Sequence, residues 1–259
     1  MSSQIIDINE NNLEQFGLFC NKSQKKEAGY QSKISWIKEQ FKKGLKYKLL
    51  LVYENDKQTS RGFIEYTPSE MGWRGIEAEN WMVVHCLWVI GKHKNKGYGS
   101  ELLKLCIKDA KEQVMNGVIG MAAKKGGWLP NAKIYIKNGF KKVDECEPDI
   151  ELYALQFSKD AVEPRFSEIL ENITTEFGEG INIFYTHQCP YLHDLIEDIE
   201  KIAKEKNRKF RKSLLNDAHE AREQAVHPYG TFSIICEGKV IPYKPGIKKE
   251  IIEALNHLE

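Results

Sequence analysis

The chain has 259 residues, 41% of them apolar and 29% charged, with a formal net charge of +1. No apolar run is long enough to span a membrane, and the balanced charge offers no broad basic surface for nucleic acid. Six cysteines at wide spacing, without a Cys-x-x-Cys pair, argue against a disulfide scaffold and against structural zinc.

The first residues lack the basic-then-apolar layout of a signal peptide, which predicts a cytoplasmic protein. A chain this long predicts two domains. Residues 22–48 are rich in lysine, and Ile34, Ile37 and Phe41 recur at helical spacing. That pattern predicts an amphipathic helix with a solvated lysine face. Gly62-Phe63-Ile64-Glu65-Tyr66 alternates as a strand does, and a connection containing Gly72, Trp73, Arg74, Gly75, Glu77 and Glu79 follows. The apolar run Met82–Val89 predicts the next strand, and Ser100–Gln113 the next helix. Between them lies Lys94-Asn95-Lys96-Gly97-Tyr98-Gly99-Ser100. A strand, a glycine-spaced turn and a helix start together build a phosphate site. Glycine lets the backbone turn tightly, and the first N–H groups of the helix point at an anion for want of internal partners. Gly117–Ala122 is read as a neighbouring strand, and Ala132–Phe140 as a late helix ending in Gly139-Phe140.

The spacing of Lys94, Gly97 and Gly99, followed by Tyr135-x-x-x-Gly139-Phe140, resembles acetyltransferases of the GNAT superfamily over roughly residues 50–157. The resemblance implies an α/β fold with a mixed sheet flanked by helices, and acetyl-CoA as cosubstrate. It implies main-chain contacts from Leu87, Trp88 and Val89 to the pantetheine arm. Lys94, Asn95, Lys96, Gly97, Tyr98, Gly99 and Ser100 would hold the pyrophosphate. Tyr135 would protonate the departing thiolate, and the early helical region would border the acceptor, a small-molecule amine. A packed aromatic is the other reading of Tyr135.

Acyl transfer to an amine needs the two reactants held together, which can itself supply ~7–11 kcal/mol of the barrier. Backbone donors in a gap between diverging strands can stabilise the oxyanion. A proton must leave the amine and one must reach the thiolate, so a base and an acid are useful. Glu65, Glu77, Glu79 and His85 are the base candidates, with Glu65 and His85 the two singled out; for His85 a packed, backbone-satisfied imidazole is the competing reading. Cys86, flanked by apolar residues, reads as core. No cysteine takes a nucleophile position, so direct attack in a ternary complex is expected.

Residues 1–157, the acetyltransferase domain, hold 24 Lys+Arg against 19 Asp+Glu, and the remainder 14 against 18. A positive first half suits an anionic cosubstrate. Residues 158–180 read as a linker with one helix. From 181 to 259 the predicted order is β-α-β-α-β-β-α, the order of a smaller thioredoxin-like α/β domain. Its elements are a strand at Ile181–Tyr185, a helix to about Lys206, a strand at Lys209–Leu215 and a helix at Asp217–Ala225. The hairpin Thr231–Cys236 with Lys239–Ile241 and a helix at Lys248–Leu258 complete it. The pairing of this domain with the first resembles the YoaP-like group of acetyltransferases.

Cys189-Pro190-Tyr191 at a helix start resembles glutaredoxins, and a helix dipole there would lower the pKa of the Cys189 thiol. Leu192 stands where a resolving cysteine would be, and Gly230 where such folds keep a proline. A role in architecture or recognition is favoured on those grounds. A metal trio of His187, Cys189 and His193 lacks the paired spacing such sites use, so no metal is expected. A non-catalytic CoA-binding or sensing module and a monothiol redox protein using Cys189 are the rival functions. Assembly as a homodimer is left open.

Overall fold

The computed structural model describes residues 2–54, 57–123, 127–147, 149–168, 177–224, 226–243, 246 and 248–257. The first part contains β1 (Ser2–Ile8), α1 (Leu13–Phe16), α2 (Ala28–Lys42), β2 (Lys46–Glu54), β3 (Lys57–Pro68) and β4 (Ile76–Glu77). It continues with β5 (Trp81–Val89), α3 (Tyr98–Glu112), β6 (Gly117–Ala123), α4 (Lys133–Lys137), β7 (Lys141–Cys146), β8 (Ile150–Gln156) and β9 (Arg165–Phe166). Seven of these strands form one sheet in the order β1-β2-β3-β5-β6-β8-β7. Its neighbours are antiparallel except for the pair β5–β6, which is parallel. A parallel pair needs a long crossover, and α3 supplies it.

The alternation of side chains along β5 and β6 assigns the two faces of the sheet. Met82, Val84, Val118 and Ala122 pack with Leu102, Leu103 and Cys106 of α3. Trp81, Val83, Ile119, Met121 and Ala123 point the other way, into a cluster with Ile183, Ile199, Phe232 and Ile234. Those partners belong to the second part of the chain: β10 (Ile181–Tyr185), α5 (Leu192–Glu205), β11 (Phe210–Leu214), α6 (Ala218–Gln224), β12 (Phe232–Cys236), β13 (Lys239–Val240) and α7 (Lys248–His257). Its four strands run in the order β11-β10-β12-β13, with β10 parallel to β11 and antiparallel to β12. The elements expected from 181 onward are present in the expected order, to within one or two residues at most ends. The helix expected between 158 and 180 falls where 169–176 lie outside the described residues.

The two sheets therefore share buried clusters. A second cluster joins Leu49, Phe63 and Trp73 to Phe184, Leu215 and Val226. Gly230 marks how close the parts come. Its φ is +72°, and a Cβ built on it would overlap the Trp73 carbonyl oxygen. Glycine stands there because the Trp73–Arg74 backbone lies directly on it.

The solvated lysine face expected on the early helix is present at Lys42 and Lys43 and in part at Lys38, with two exceptions in the lysine-rich stretch. Lys33 on α2 and Lys48 on β2 are buried. Lys33 reaches Glu65 and lies over the Trp36 ring, and Lys48 pairs with Asp7 at 2.6 Å and Asp109 at 3.2 Å. Their long alkyl stems follow apolar surface until the ammonium meets a carboxylate. Among the described residues no helix is long and apolar enough to cross a membrane.

Candidate active site

Strands β5 and β6 pair in register from Trp81↔Gly117 to Val84↔Gly120, and no further. Beyond that point β5 runs on through Val89, while β6 continues to Ala123 paired only with β8 on its other edge. Where β5 pairs with β3 the register slips between Glu65 and Tyr66, leaving His85 as the extra residue of a bulge. The last residues of β5 thus have one edge unpaired, and their backbone groups face a cleft.

That cleft, of about 630 Å³, is lined by Leu87–Val89, Lys94, Asn95, Gly97, Gly99 and Ser100. The structure brings together most of the residues the sequence assigns to the cosubstrate; Lys96 and Tyr98 are not in the lining. The helix α3 begins after Gly97, whose φ is +90° and which provides no side-chain cap. The first N–H groups of α3 keep no intrahelical partner, as at any helix start. The opposite wall includes Leu129, Pro130, Asn131, Lys133, Ile134 and Lys137, which the sequence reading did not single out. Their signal was the i, i+4 spacing of Lys133 and Lys137 on a short helix following a proline. Asn138 Nδ2 donates to Ser100 Oγ at 3.0 Å, tying the end of α4 to the start of α3. Three lysines, Lys94, Lys133 and Lys137, and no Asp or Glu line the cleft among the described residues. That charge fits phosphate groups, and the helix start adds the positive end of its dipole.

Tyr135 on α4 is buried under the sheet. Its ring lies where a Cβ on Gly120, the last residue of β6 paired with β5, would be, and it stacks on Tyr153 at 5.8 Å. Burial pushes its hydroxyl pKa up, so the phenol stays protonated. It sits beside the point where the two strands part.

Glu65 and His85, the two residues singled out as general base, are both buried and engaged by neighbours. Glu65 is 1% exposed. Its Oε2 lies 2.6 Å from Lys33 Nζ, and its Oε1 accepts from Gln188 Nε2 at 2.8 Å. Burial opposes ionisation, but Lys33, His85 and Gln188 outweigh it and hold the carboxyl at about 2. A carboxylate that ionises so readily is a poor proton acceptor. His85 Nε2 accepts from the Trp73 backbone N–H at 3.1 Å, which fixes the Nδ1–H tautomer and occupies the lone pair. Its Nδ1 faces Glu65 Oε1 at 3.5 Å. Burial pushes the imidazole down to about 4 against the pull of Glu65. Glu77, also considered, pairs with Arg165 at 2.7 Å on the surface.

Arg74, buried in the same region, donates from Nη2 to the His85 carbonyl at 2.5 Å. Its Nη1 donates to the Tyr229 carbonyl at 2.6 Å and to Thr231 Oγ1 at 3.2 Å. The bulge is thereby held from the second sheet. Neither Arg74 nor Gln188 was predicted, because both act across more than a hundred residues of chain.

A second pocket, of about 540 Å³, meets the cleft at Leu87 and Trp88. Phe19, Cys20, Phe63, Cys86 and Trp128 of the first part line it, together with Cys189, Tyr191 and Tyr229 of the second. The lowered Cys189 pKa expected from the helix start is overturned: burial and the neighbouring Cys86 push the thiol up to about 12. Cys86 is a pocket residue rather than closed core. Among the described residues no group of three or more His, Cys, Asp or Glu side chains is placed to hold a metal ion.

Residues 15–140 match the model of the Acetyltransferase (GNAT) family. A curated relative, "Uncharacterized N-acetyltransferase YoaP" of Bacillus subtilis (strain 168), is 32% identical over 242 residues, covering 92% of this chain and 93% of the relative. Among solved structures, an acetyltransferase of the GNAT family from Staphylococcus aureus Mu50 is 19% identical. It covers 61% of this chain and 100% of its own, with a TM-score of 0.44. The PaiA N-acetyltransferase from Thermoplasma acidophilum, in complex with coenzyme A, is 18% identical over 61% of this chain and 100% of its own, with a TM-score of 0.40. By the family match and the full-length relative together, the chain belongs to the GNAT family of acetyltransferases, acetyl-CoA-dependent acyltransferases.

Proposed function

We propose that this enzyme transfers the acetyl group of acetyl-CoA to the amine of a small molecule, by direct attack with both substrates bound. The observation that carries the reading is the parting of β5 and β6 after Val84 and Gly120, with the cleft and the second pocket meeting at Leu87 and Trp88. The residues fit the cosubstrate: a cleft lined by lysines, and by no carboxylate among the described residues, ends at an uncapped helix start. Leu87–Val89 would pair their backbone with the pantetheine arm, and the loop from Lys94 to Ser100 would hold the phosphates. The acyl group would then lie at the β5 bulge, where backbone donors can stabilise a developing oxyanion.

Tyr135 is the proposed acid. Its phenol is kept protonated by burial and sits at the fork of the strands, from where a proton can pass to the thiolate. The three thiols of the second pocket are held protonated by burial, which speaks against an acyl-enzyme on cysteine.

Residues 181–259 form, in this reading, a thioredoxin-like unit used for recognition. The strand order β11-β10-β12-β13 supports the likeness. The high Cys189 pKa and Leu192 in place of a second cysteine speak against redox exchange. Initial rates of thiol release, with acetyl-CoA and amine varied together, test the mechanism. Intersecting reciprocal plots are expected, and parallel lines would indicate an acyl-enzyme instead.

A further inference from the structure

The second pocket has a wall chemistry that narrows the acceptor. Its rings are Phe19, Phe63, Trp88, Trp128, Tyr191 and Tyr229, and three protonated thiols, of Cys20, Cys86 and Cys189, fill the gaps between them. Among the described residues no Asp or Glu lines it, and its one charged lining residue is Lys22, an exposed lysine that donates to Ser60 Oγ at 3.1 Å. Behind the thiols stand two cationic side chains, Lys33 and Arg74, against a single carboxylate, Glu65. The neighbouring His85 is neutral. An ammonium group entering here meets an excess of positive charge in a low-dielectric wall, and nothing to take its proton.

We propose, building on the acetyltransferase reading, that this pocket takes an arylamine, whose nitrogen is already unprotonated at neutral pH, and that the second part of the chain supplies its far wall. The lone pair of an arylamine is delocalised into the ring, so no base is needed before attack. The flat ring suits walls of aromatic faces and sulfur. On attack the new C–N bond forms as the C–S bond of acetyl-CoA breaks. The amine proton leaves to solvent once the nitrogen carries positive charge, and the thiolate is protonated by the acid.

The far wall is built into the structure of the pocket. Tyr191 Oη accepts the backbone N–H of Asn21 at 3.0 Å, while Tyr30 Oη and Tyr47 Oη accept those of Leu18 and Phe19 at 3.0 and 2.9 Å. The segment carrying Phe19 and Cys20 is thus pinned by three phenols, one of them from the second part. Trp128 and Tyr191, both in the lining, meet as tilted rings with centres 5.7 Å apart.

The test compares 4-methoxyaniline, benzylamine and spermidine as acceptors for the full-length enzyme, read by thiol release at saturating acetyl-CoA. The expected kcat/KM for 4-methoxyaniline at pH 7 exceeds each of the others at least tenfold, and is flat from pH 7 to 9. Any benzylamine activity should rise ~10-fold per pH unit, following its neutral fraction. Preference for benzylamine or spermidine at pH 7 overturns the proposal. Acetyl-CoA binding by calorimetry without transfer to any of the three also overturns it, while leaving the cosubstrate site standing. Absence of acetyl-CoA binding sinks the acetyltransferase reading as well. For the far wall, Tyr191→Leu should raise the KM for 4-methoxyaniline ~10-fold, about 1.4 kcal/mol. Tyr191→Phe, which keeps the ring but loses the hydroxyl that accepts from Asn21, should give a KM between those of the native and Leu enzymes. Acetyl-CoA affinity should hold in both variants, and a Tyr191→Leu enzyme with unchanged KM would remove the second part from the acceptor site.

Discussion

The Arg74 guanidinium donates to the Tyr229 carbonyl at 2.6 Å and lies 4.0 Å from the centre of the same residue's ring. Through its other terminal nitrogen it holds the His85 carbonyl in the β5 bulge, so one buried cation fastens the second sheet to the strand beside the active site. Arg74→Met keeps much of the stem but leaves two carbonyls and a hydroxyl without their donor. With ~1.5–3 kcal/mol for each hydrogen bond to a charged group, a loss of at least ~3 kcal/mol is expected by urea unfolding. A loss under ~1 kcal/mol would mean that the clamp adds little.

Acid should weaken the fold through the Glu65 cluster, and the sign follows from the direction of each shift. His85 titrates at about 4 in place of 6.5, and Glu65 at about 2 in place of 4.5. Burial likewise holds His227 down to about 3. For each group the unfolded chain binds the proton more readily, so stability is complete above the unfolded pKa and is lost as pH falls toward the folded one. Urea midpoints should therefore drop from pH 6.5 to 4 through His85, from 6.5 to 3 through His227, and from 4.5 to 2 through Glu65. His85→Asn should flatten the upper part of that curve. An unaltered slope in the variant would deny His85 its share.

Tyr135→Phe separates catalysis from packing. The phenylalanine ring keeps the stack on Tyr153 and the contact with Gly120, so acetyl-CoA affinity and unfolding midpoint should change little. Turnover should fall ~10²-fold or more if the hydroxyl protonates the thiolate. Unchanged turnover would leave Tyr135 as a packing residue.

Local patterns carried the fold. The alternation in β3, the apolar run of β5 and the glycine turn before α3 each announce themselves within a few residues, because dihedral preference and side-chain period are local properties. The loop proposed to hold the cosubstrate stands out for the same reason. The roles of Glu65, His85 and Lys33 do not. Whether a carboxylate is a base or half of a buried pair depends on Lys33, 32 positions before Glu65, and on Gln188, 123 positions after it. The lowered Cys189 pKa was misjudged on the same ground: the helix start favours a thiolate, but burial and the neighbouring Cys86, 103 positions earlier, push the thiol up.

Cys189 should behave as a protonated thiol at neutral pH. With its pKa pushed up to about 12, iodoacetamide should label it more slowly at pH 7.5 than free cysteine, and faster as pH rises beyond 9. Peptide mapping by mass spectrometry separates it from the other five cysteines. Rapid labelling at pH 7.5 would revive the monothiol redox function.

Removing residues 158–259 should uncover Val83, Ile119 and Met121 on one face of the large sheet. A patch of that kind promotes association, so the truncated chain is expected in aggregates or oligomers by size-exclusion chromatography. A monodisperse, folded monomer would show that the first part does not need the second.

The central claim is that acetyl-CoA is held at the start of α3, and calorimetric titration of Gly97→Val against the native chain tests it most directly. Gly97 has φ +90°, and the nearest atom to a Cβ there is Glu101 Oε1 at 3.9 Å, so a β-branched side chain is refused by the backbone and not by space. The native chain is predicted to bind acetyl-CoA, and the variant to bind at least tenfold more weakly, about 1.4 kcal/mol, with an intact fold by circular dichroism. Equal affinity in the two proteins, or no binding by the native chain, would contradict the account.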